Sequence, residues 1–70
     1  MRTKLVAIRK AKGLSQGDAA DKLHISRSHY SQIESGDKNP SLDTALRIKQ
    51  FFDYSNDDIF LNSFAPKRDN

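Results

Sequence analysis

Two short helical segments placed back to back constrain the fold of this 70-residue chain more than any other feature. They lie within LSQGDAADKLHISRSHYSQIESG, residues 14–36, and three residues separate them. Ser15 and Asp18 have the spacing of a capping box at the start of the first segment, and Ser26 is the natural N-cap of the second. Gly36 closes the second, because glycine tolerates the positive φ of a helix C-terminus. The pattern predicts two helices of about eight and nine residues joined by a tight turn.

The spacing of apolar residues predicts further helices and no strand. The five predicted helices cover residues 3–12, 16–23, 27–35 and 42–52, with a short last one that begins at Ser55 or Asn56. The apolar side chains expected on their inward faces are Leu5, Ile8, Ala11, Ala19, Ala20, Leu23, Tyr30, Ile33, Leu42, Ala45, Leu46, Ile48, Phe51, Phe52, Ile59 and Leu61. The sequence thus predicts an all-α fold, a compact five-helix domain over residues 1–64, with 65–70 as a flexible tail.

Turn chemistry and capping place the boundaries of the later helices. GDKNP, residues 36–40, is predicted to be a loop, and Ser41 to be the N-cap of the fourth helix. Ser55 and Asp58 repeat the spacing of a capping box before the last helix. Gly17 costs up to ~1 kcal/mol relative to alanine inside a helix. We interpret Gly17 as tolerated rather than as required by a close backbone contact.

Positive charge is concentrated in the first half of the chain. The net charge is +3; residues 1–38 hold eight basic and four acidic side chains, whereas residues 39–66 hold two basic and four acidic ones. A polyanion such as nucleic acid would prefer the first half. Charge alone does not separate this interpretation from a basic surface that serves solubility, so the partner has to be inferred from motifs.

Several classes of function lack their sequence signals. The chain has no Cys, which excludes disulfides and thiolate metal sites, and His24 and His29 are wrongly spaced for one helical metal face. A nucleophile elbow, a phosphate-binding glycine loop and an H-E-x-x-H motif are all missing, so we expect no enzyme, no metal and no cofactor. No apolar run approaches the ~20 residues of a membrane span or forms a signal peptide, which favours a cytoplasmic protein.

One side of the second helix of the pair is polar. It carries Arg27, Ser28, Ser31 and Gln32. When two such helices bind DNA, the first lies across the backbone and the second enters the major groove. The Arg27 guanidinium suits guanine O6 and N7, and the Gln32 amide suits adenine N6 and N7. The alternative interpretation is a row of ordinary exposed polar residues.

The residues of this segment also resemble a known family. The matching positions are Leu14-Ser15-Gln16, Ala20, Leu23, Ile25-Ser26, Ser31-Gln32-Ile33-Glu34, Gly36 and Asn39-Pro40-Ser41. Together they resemble the phage-repressor/Cro-type helix-turn-helix DNA-binding domains (lambda repressor-like, Xre family) of transcriptional regulators. The likeness continues more weakly over residues 2–62. The combination is specific, whereas any single dipeptide in it would not be.

The resemblance implies a role for each matched polar residue. Base edges would be contacted by Arg27, Ser28 and Gln32. Phosphates would be contacted by Gln16, Ser31, Ser35, Lys38 and Asn39. Arg9 and Glu34 match positions that form an ion pair between the first and third helices. Independently of the family, Glu34 lies on the half-buried side of the helix, where an unpaired carboxylate would be costly.

Three residues depart from the family pattern. Ala19 stands where a larger aliphatic residue is usual, so the core beneath it is expected to be filled from elsewhere. His24 occupies a turn position usually held by glycine, where a left-handed backbone would cause some strain. Tyr30 replaces a branched aliphatic residue, and we expect its hydroxyl to pass the edge of the core and reach water or phosphate.

The resemblance implies a sequence-specific regulator of transcription that binds double-stranded DNA. We expect a repressor that acts as a homodimer on a palindromic operator, in the cytoplasm and associated with the nucleoid through DNA. A protein antagonist is one expected means of control. The alternative is a protein-interaction module of the same fold, like an antitoxin or anti-repressor, with Ile59, Phe60, Leu61 and Phe64 as its surface.

Overall fold

A computed structural model describes residues 1–61 and contains four α-helices followed by one turn of 3₁₀ helix. The α-helices are α1 (Thr3–Ala11), α2 (Gln16–Leu23), α3 (Arg27–Ser35) and α4 (Leu42–Phe51), and the C-terminal turn is Asp57–Phe60. The described part of the chain contains no strand. The predicted all-α fold is therefore confirmed, and α2 and α3 have the predicted bounds. Phe64 and the predicted tail 65–70 lie outside the described residues.

The predicted fifth helix is instead the short C-terminal turn. Asn56, and not Ser55, is its N-cap, and the Asn56 side chain accepts a hydrogen bond from the Asp58 backbone N–H at 3.1 Å. The backbone is extended again at Leu61. So short a segment cannot offset the cost of nucleating an α-helix, and the tighter 3₁₀ turn forms in its place.

Serine caps begin three of the four helices, as the sequence predicts. Ser15 and Asp18 form a complete capping box. The Asp18 backbone N–H donates to the Ser15 hydroxyl at 3.0 Å, and the Ser15 backbone N–H donates to the Asp18 carboxylate at 3.2 Å. Ser26 and Ser41 each accept a hydrogen bond from the backbone N–H three residues later, at 3.0 and 3.2 Å. Each cap stabilises the protein by ~1 kcal/mol, which matters in so small a domain.

The core is one cluster drawn from all four helices and the C-terminal turn. Its buried members are Leu5, Ala19, Ala20, Leu23, Tyr30, Ile33, Ile48, Phe52 and Ile59. Ile8, Leu14, Ile25, Phe51, Tyr54 and Phe60 pack against its edge. Most of the predicted core is thus confirmed. Within residues 1–61, no helix has the length and apolarity that crossing a membrane requires.

The prediction placed four apolar residues inward that are in fact exposed. They are Ala11, Leu42, Leu46 and Leu61. On α4 the inward row is Thr44 and Ile48; a shift of two residues rotates a side chain by roughly 200°, which directs the two leucines outward. On α1 the inward row is Leu5 and Arg9, so Ala11 turns away from the core.

Tyr30 does not reach solvent or phosphate, contrary to the prediction. Its side chain is completely buried, and its hydroxyl has no hydrogen-bond partner in the described structure. Burial raises the pKa of Tyr30, and the Glu34 carboxylate raises it further. The large ring lies in the same buried cluster as Ala19, and we infer that it supplies the volume that this small side chain leaves unfilled.

Gly17 is tolerated, as interpreted from the sequence. A Cβ atom at this position would lie 3.7 Å from Arg27 Cδ and 3.8 Å from Ser15 Oγ, which is ordinary van der Waals contact. No close backbone approach therefore requires glycine there.

Acid should weaken the attachment of the C-terminal turn to α1. Lys4 Nζ and the Tyr54 hydroxyl both donate to the Asp58 carboxylate at 2.6 Å, and the hydrogen bond from Lys4, followed by that from Tyr54, lowers the pKa of Asp58. The lowered pKa contributes stability above the unfolded value of ~4 that is lost as pH falls through the folded pKa. Asp58→Asn should therefore lower the melting temperature at pH 7, with the difference from wild type closing below about pH 4.

Thermal unfolding followed by circular dichroism at several pH values would measure this. Asp53→Asn is the matched control, because Asp53 is exposed, has a positive φ of 53° that asparagine also accepts, and has no ion-pair partner in the described structure. A difference between wild type and Asp58→Asn that stayed constant from pH 7 to pH 3 would contradict the prediction.

Candidate nucleic-acid interface

The turn between α2 and α3 is closed by backbone hydrogen bonds. His24 ends α2 in the left-handed conformation, with φ 61° and ψ 40°, and its N–H donates to the Asp21 carbonyl at 3.1 Å. The Ile25 N–H donates to the Ala20 carbonyl at 3.0 Å, and Ser26 then caps α3. The sequence identified His24 as the position where glycine is usual, and the structure shows that histidine adopts the left-handed geometry itself. The turn thus holds α3 firmly against α2.

The outer side of α3 carries a polar flank, which consists of Arg27, Ser28, Ser31 and Gln32. Arg27 and Ser28 are exposed, while Ser31 and Gln32 are partly exposed at the edge of the helix packing. The opposite side buries Tyr30, Ile33 and Glu34. Among residues 1–61, none of the four flank side chains forms a hydrogen bond or ion pair. Their donors are therefore available to a partner that lies along α3.

A buried ion pair lies behind the polar flank. Arg9 Nε donates to Glu34 Oε2 at 2.5 Å, and Arg9 Nη2 lies 3.4 Å from Glu34 Oε1. The two side chains are only 10 % and 3 % exposed. Arg9 Nη1 also donates to the Leu14 carbonyl at 2.6 Å. The pair expected from the sequence is thus present, and it connects α1 and the α1–α2 turn to α3.

Gln16 takes part in the same network, which the sequence did not predict. Its side-chain Nε2 donates to Glu34 Oε1 at 3.0 Å and so connects the N-terminus of α2 to α3. A side-chain amide carries two N–H donors, and this bond uses one of them. The second N–H has no partner among the described residues. Gln16 can therefore donate to a phosphate while its bond to Glu34 persists.

The end of α3 and the loop that follows it contain three more of the predicted phosphate contacts, Ser35, Lys38 and Asn39. Lys38 is exposed, and its ammonium group has no partner within residues 1–61. The Ser35 hydroxyl donates to the Gln32 carbonyl at 3.0 Å and accepts from the Asp37 N–H at 3.3 Å. Its single proton is used inside the loop, so a bond to phosphate would require the hydroxyl to rotate. Asn39 is exposed, and its Oδ1 accepts a hydrogen bond from Arg2 at 2.6 Å.

Arg2 is a functional candidate that the sequence analysis missed. It is 2 % exposed, and its guanidinium bonds to three carbonyls and the Asn39 side chain. Its partners are 31 to 58 positions away in the chain. An arginine among polar and charged neighbours near the start of the sequence looks like any exposed charge, so no local pattern indicates this burial.

The described residues hold no group of three or more His, Cys, Asp or Glu side chains that could bind a metal ion.

Comparison with known proteins agrees with this geometry. The helix-turn-helix family matches residues 5–59. This range contains the polar flank, the following loop and all four helices, apart from the first two residues of α1. The chain is also similar to an uncharacterized HTH-type transcriptional regulator of Methanocaldococcus jannaschii. The two are 41 % identical over 61 residues, which cover 87 % of this chain and 92 % of that protein. No solved structure matches the chain significantly.

The chain therefore belongs to the helix-turn-helix family, and its fold is of the Xre-like, phage-repressor/Cro type that the sequence predicted.

Proposed function

We propose that this protein regulates transcription by binding double-stranded DNA in a sequence-specific manner, with α3 in the major groove. The observation that carries the proposal is the polar flank of α3, whose side chains have donors and no hydrogen-bond or ion-pair partner within residues 1–61. A helix of this length fits the major groove with its N-terminal residues against base edges. The similar protein of Methanocaldococcus jannaschii is described as an HTH-type transcriptional regulator, which supports the same function.

The side chains divide into base readers and phosphate contacts. Arg27, Ser28 and Gln32 face base edges in this proposal, with Arg27 reading guanine and Gln32 reading adenine. Gln16, Ser31, Ser35, Lys38 and Asn39 contact phosphates. Phosphate contacts set the register of the protein on the duplex, and base contacts select the sequence.

The N-terminus of α2 and the loop after α3 are the two segments that contact the DNA backbone in this proposal. At the first, the free second N–H of Gln16 adds to the backbone N–H groups and the positive end of the helix dipole. At the second, Lys38 supplies a full positive charge, while the amide of Asn39 supplies a directional donor. In the chain, α3 lies between these two segments, so contacts with the DNA backbone on either side would fix the position of α3 along the duplex.

The proposal extends to a homodimeric repressor on a palindromic operator. A short recognition helix reads only a few base pairs, and two copies related by a two-fold axis double the site. Their half-sites would lie about 34–36 Å apart, which is one turn of DNA. The protein would be cytoplasmic and associated with the nucleoid through DNA, and it would repress by occupying the operator.

Selection of bound sequences from a random pool of duplex DNA tests the proposal directly. The expected result is an enriched, partly palindromic sequence with half-sites about 10 base pairs apart and guanine and adenine at the contacted positions. Analytical ultracentrifugation should show two copies per selected duplex. An unenriched pool would refute sequence-specific binding, and a strict monomer both free and on DNA would refute the homodimer.

The affinity for the selected duplex should fall steeply with salt. Each phosphate neutralised by a cationic side chain contributes a slope of about −0.9 in a plot of log affinity against log salt concentration. Lys38→Ala should reduce the steepness by ~0.9 for each bound copy, because it removes one such cation. Fluorescence anisotropy titrations between about 50 and 200 mM salt measure this.

Lys49→Ala is the control for this substitution, because Lys49 pairs with Asp57 at 2.6 Å and has no proposed role in DNA binding. It should leave the slope unchanged. A flat salt response of the wild-type protein would contradict the docking arrangement.

A protein-interaction module is the second candidate, and the exposed leucines favour it. Of the surface that the sequence suggested for such a module, Ile59 is buried and Leu61 is 65 % exposed; the structure adds Leu42, which is 79 % exposed. Such side chains are available to a protein partner. A module that worked only through them would not depend on Arg27 or Gln32, so substitutions on the polar flank separate the two candidates.

A further inference from the structure

Arg2 is a buried cation, and within residues 1–61 no carboxylate is among its hydrogen-bond partners. Its Nε donates to the Phe60 carbonyl at 2.7 Å, and its Nη1 donates to the carbonyls of Ile33 and, at 3.0 Å, Lys38. Its Nη2 donates to Asn39 Oδ1 at 2.6 Å. Burial lowers the pKa of Arg2, yet a guanidinium stays protonated in proteins. A buried charge is costly unless its donors are satisfied, and here four neutral oxygens accept hydrogen bonds from four of the five guanidinium N–H groups.

These four oxygens belong to three separate parts of the chain. Ile33 lies at the end of α3, Phe60 lies in the C-terminal turn, and Lys38 and Asn39 lie in the loop after α3. The Arg2 backbone N–H adds a further bond to α3, to the Glu34 carbonyl at 2.7 Å. Because a guanidinium is planar and its donors are fixed in direction, the four contacts hold the loop relative to α3.

The contact with Asn39 also determines which end of its amide faces outward. Arginine offers only donors, so the atom of Asn39 that faces it has to be the carbonyl oxygen. The Asn39 NH₂ group then points away from Arg2. A phosphate offers only acceptors, so an outward NH₂ is the end that phosphate can bind.

We propose that Arg2 is a positioning residue for DNA binding, which fixes the Lys38 backbone and orients the Asn39 amide for contact with phosphate. This inference rests on the proposed function above. Arg2 itself lies behind the loop and touches no DNA. Its effect on affinity passes entirely through Lys38 and Asn39.

Arg2→Lys tests the inference, because lysine keeps the charge but not the planar fork of donors. The expected result is a protein that is still folded by circular dichroism, binds the selected duplex about tenfold more weakly, and has a salt slope reduced by up to ~0.9 per copy. In a Lys38→Ala, Asn39→Ala background, Arg2→Lys should have no further effect on affinity. Arg47→Lys on α4 is the matched control: Arg47 pairs with Asp43 at 2.8 Å and donates to the Leu23 carbonyl at 3.2 Å, and it has no proposed role in DNA binding, so affinity should stay unchanged.

Asn39→Asp provides a second test that keeps Arg2 intact. The carboxylate still accepts from Arg2 and pairs with its charge, so the melting temperature should stay the same or rise. The outward donors are lost, so affinity for the duplex should fall at least tenfold. An Asn39→Asp variant that bound DNA as tightly as wild type, or whose melting temperature was well below that of wild type, would overturn the assigned orientation of the amide.

The outcomes separate this inference from the proposal beneath it. Wild-type protein that enriched no sequence would refute the DNA-binding function and Arg2's role with it. If wild-type protein bound its duplex and a folded Arg2→Lys variant bound it with the same affinity and salt slope, only the role of Arg2 would be refuted. Faster amide hydrogen exchange at Lys38 in free Arg2→Lys is the expected structural signature, and an unchanged rate would also count against the inference.

Discussion

Replacing Glu34 with alanine should remove about 3–5 kcal/mol from the free energy of unfolding, because it leaves the Arg9 guanidinium buried without its carboxylate. Gln16 also loses the oxygen that accepts its amide N–H. A chain of 70 residues is expected to be stable by only about 4–10 kcal/mol, so this loss would be a large fraction of the total free energy of unfolding. Urea denaturation followed by circular dichroism measures the change.

Two further variants show whether the unpaired charge causes the loss. Asp43→Ala removes the acid of an exposed pair, Asp43–Arg47 at 2.8 Å, and should cost less than about 1 kcal/mol. Arg9→Met combined with Glu34→Leu removes both buried charges and should recover much of the stability lost in Glu34→Ala. Equal stability of Glu34→Ala and Asp43→Ala would show that the buried pair does not carry the predicted energy.

Replacing Arg27 with alanine should weaken binding to the selected duplex by ~1–3 kcal/mol, roughly 5- to 150-fold, without lowering protein stability. Its guanidinium forms no hydrogen bond or ion pair within residues 1–61, so the free protein loses little when it is removed, within ~0.5 kcal/mol. Gln32→Ala should have a similar effect on affinity. Each substitution should relax the base preference at one operator position, guanine for Arg27 and adenine for Gln32.

Binding and selection with the variants, beside the controls Lys49→Ala and Gln50→Ala on α4, would measure both effects. The controls should bind with wild-type affinity. If Arg27→Ala and Gln32→Ala kept full affinity and base preference, the polar flank would not be the reading surface. Loss of a protein partner through changes at Leu42 or Leu61, with the flank substitutions silent, would favour the protein-interaction module.

The local features of the fold were predictable because their causes lie within a few residues. Ser15 with Asp18 predicts the start of α2, and Ser26 with Gly36 predicts both ends of α3. A hydrogen bond between neighbours three positions apart depends on the local sequence alone. The alternation of apolar and polar positions predicts the buried side of α3 for the same reason.

The predictions that failed concern positions at the edge of a small core. Leu42 and Leu46 are apolar and lie four positions apart, a spacing typical of one helix face, yet α4 buries Thr44 and Ile48 instead. Tyr30 carries a polar group and nonetheless lies wholly in the core. A core of this size buries only part of the apolar surface, so hydrophobicity alone does not decide which face of a helix is covered.

The sequence by itself determined the four helices and the polar character of the outer side of α3, since these follow from caps and periodicity. Only the tertiary structure decided which polar groups meet. Gln16 donates a hydrogen bond to Glu34, 18 positions away, and Arg2 donates one to Phe60, 58 positions away, so no local pattern could indicate either contact. The physical reason is that a buried donor has to bond to whichever acceptor the packed helices bring near it, and that acceptor is set by the fold as a whole.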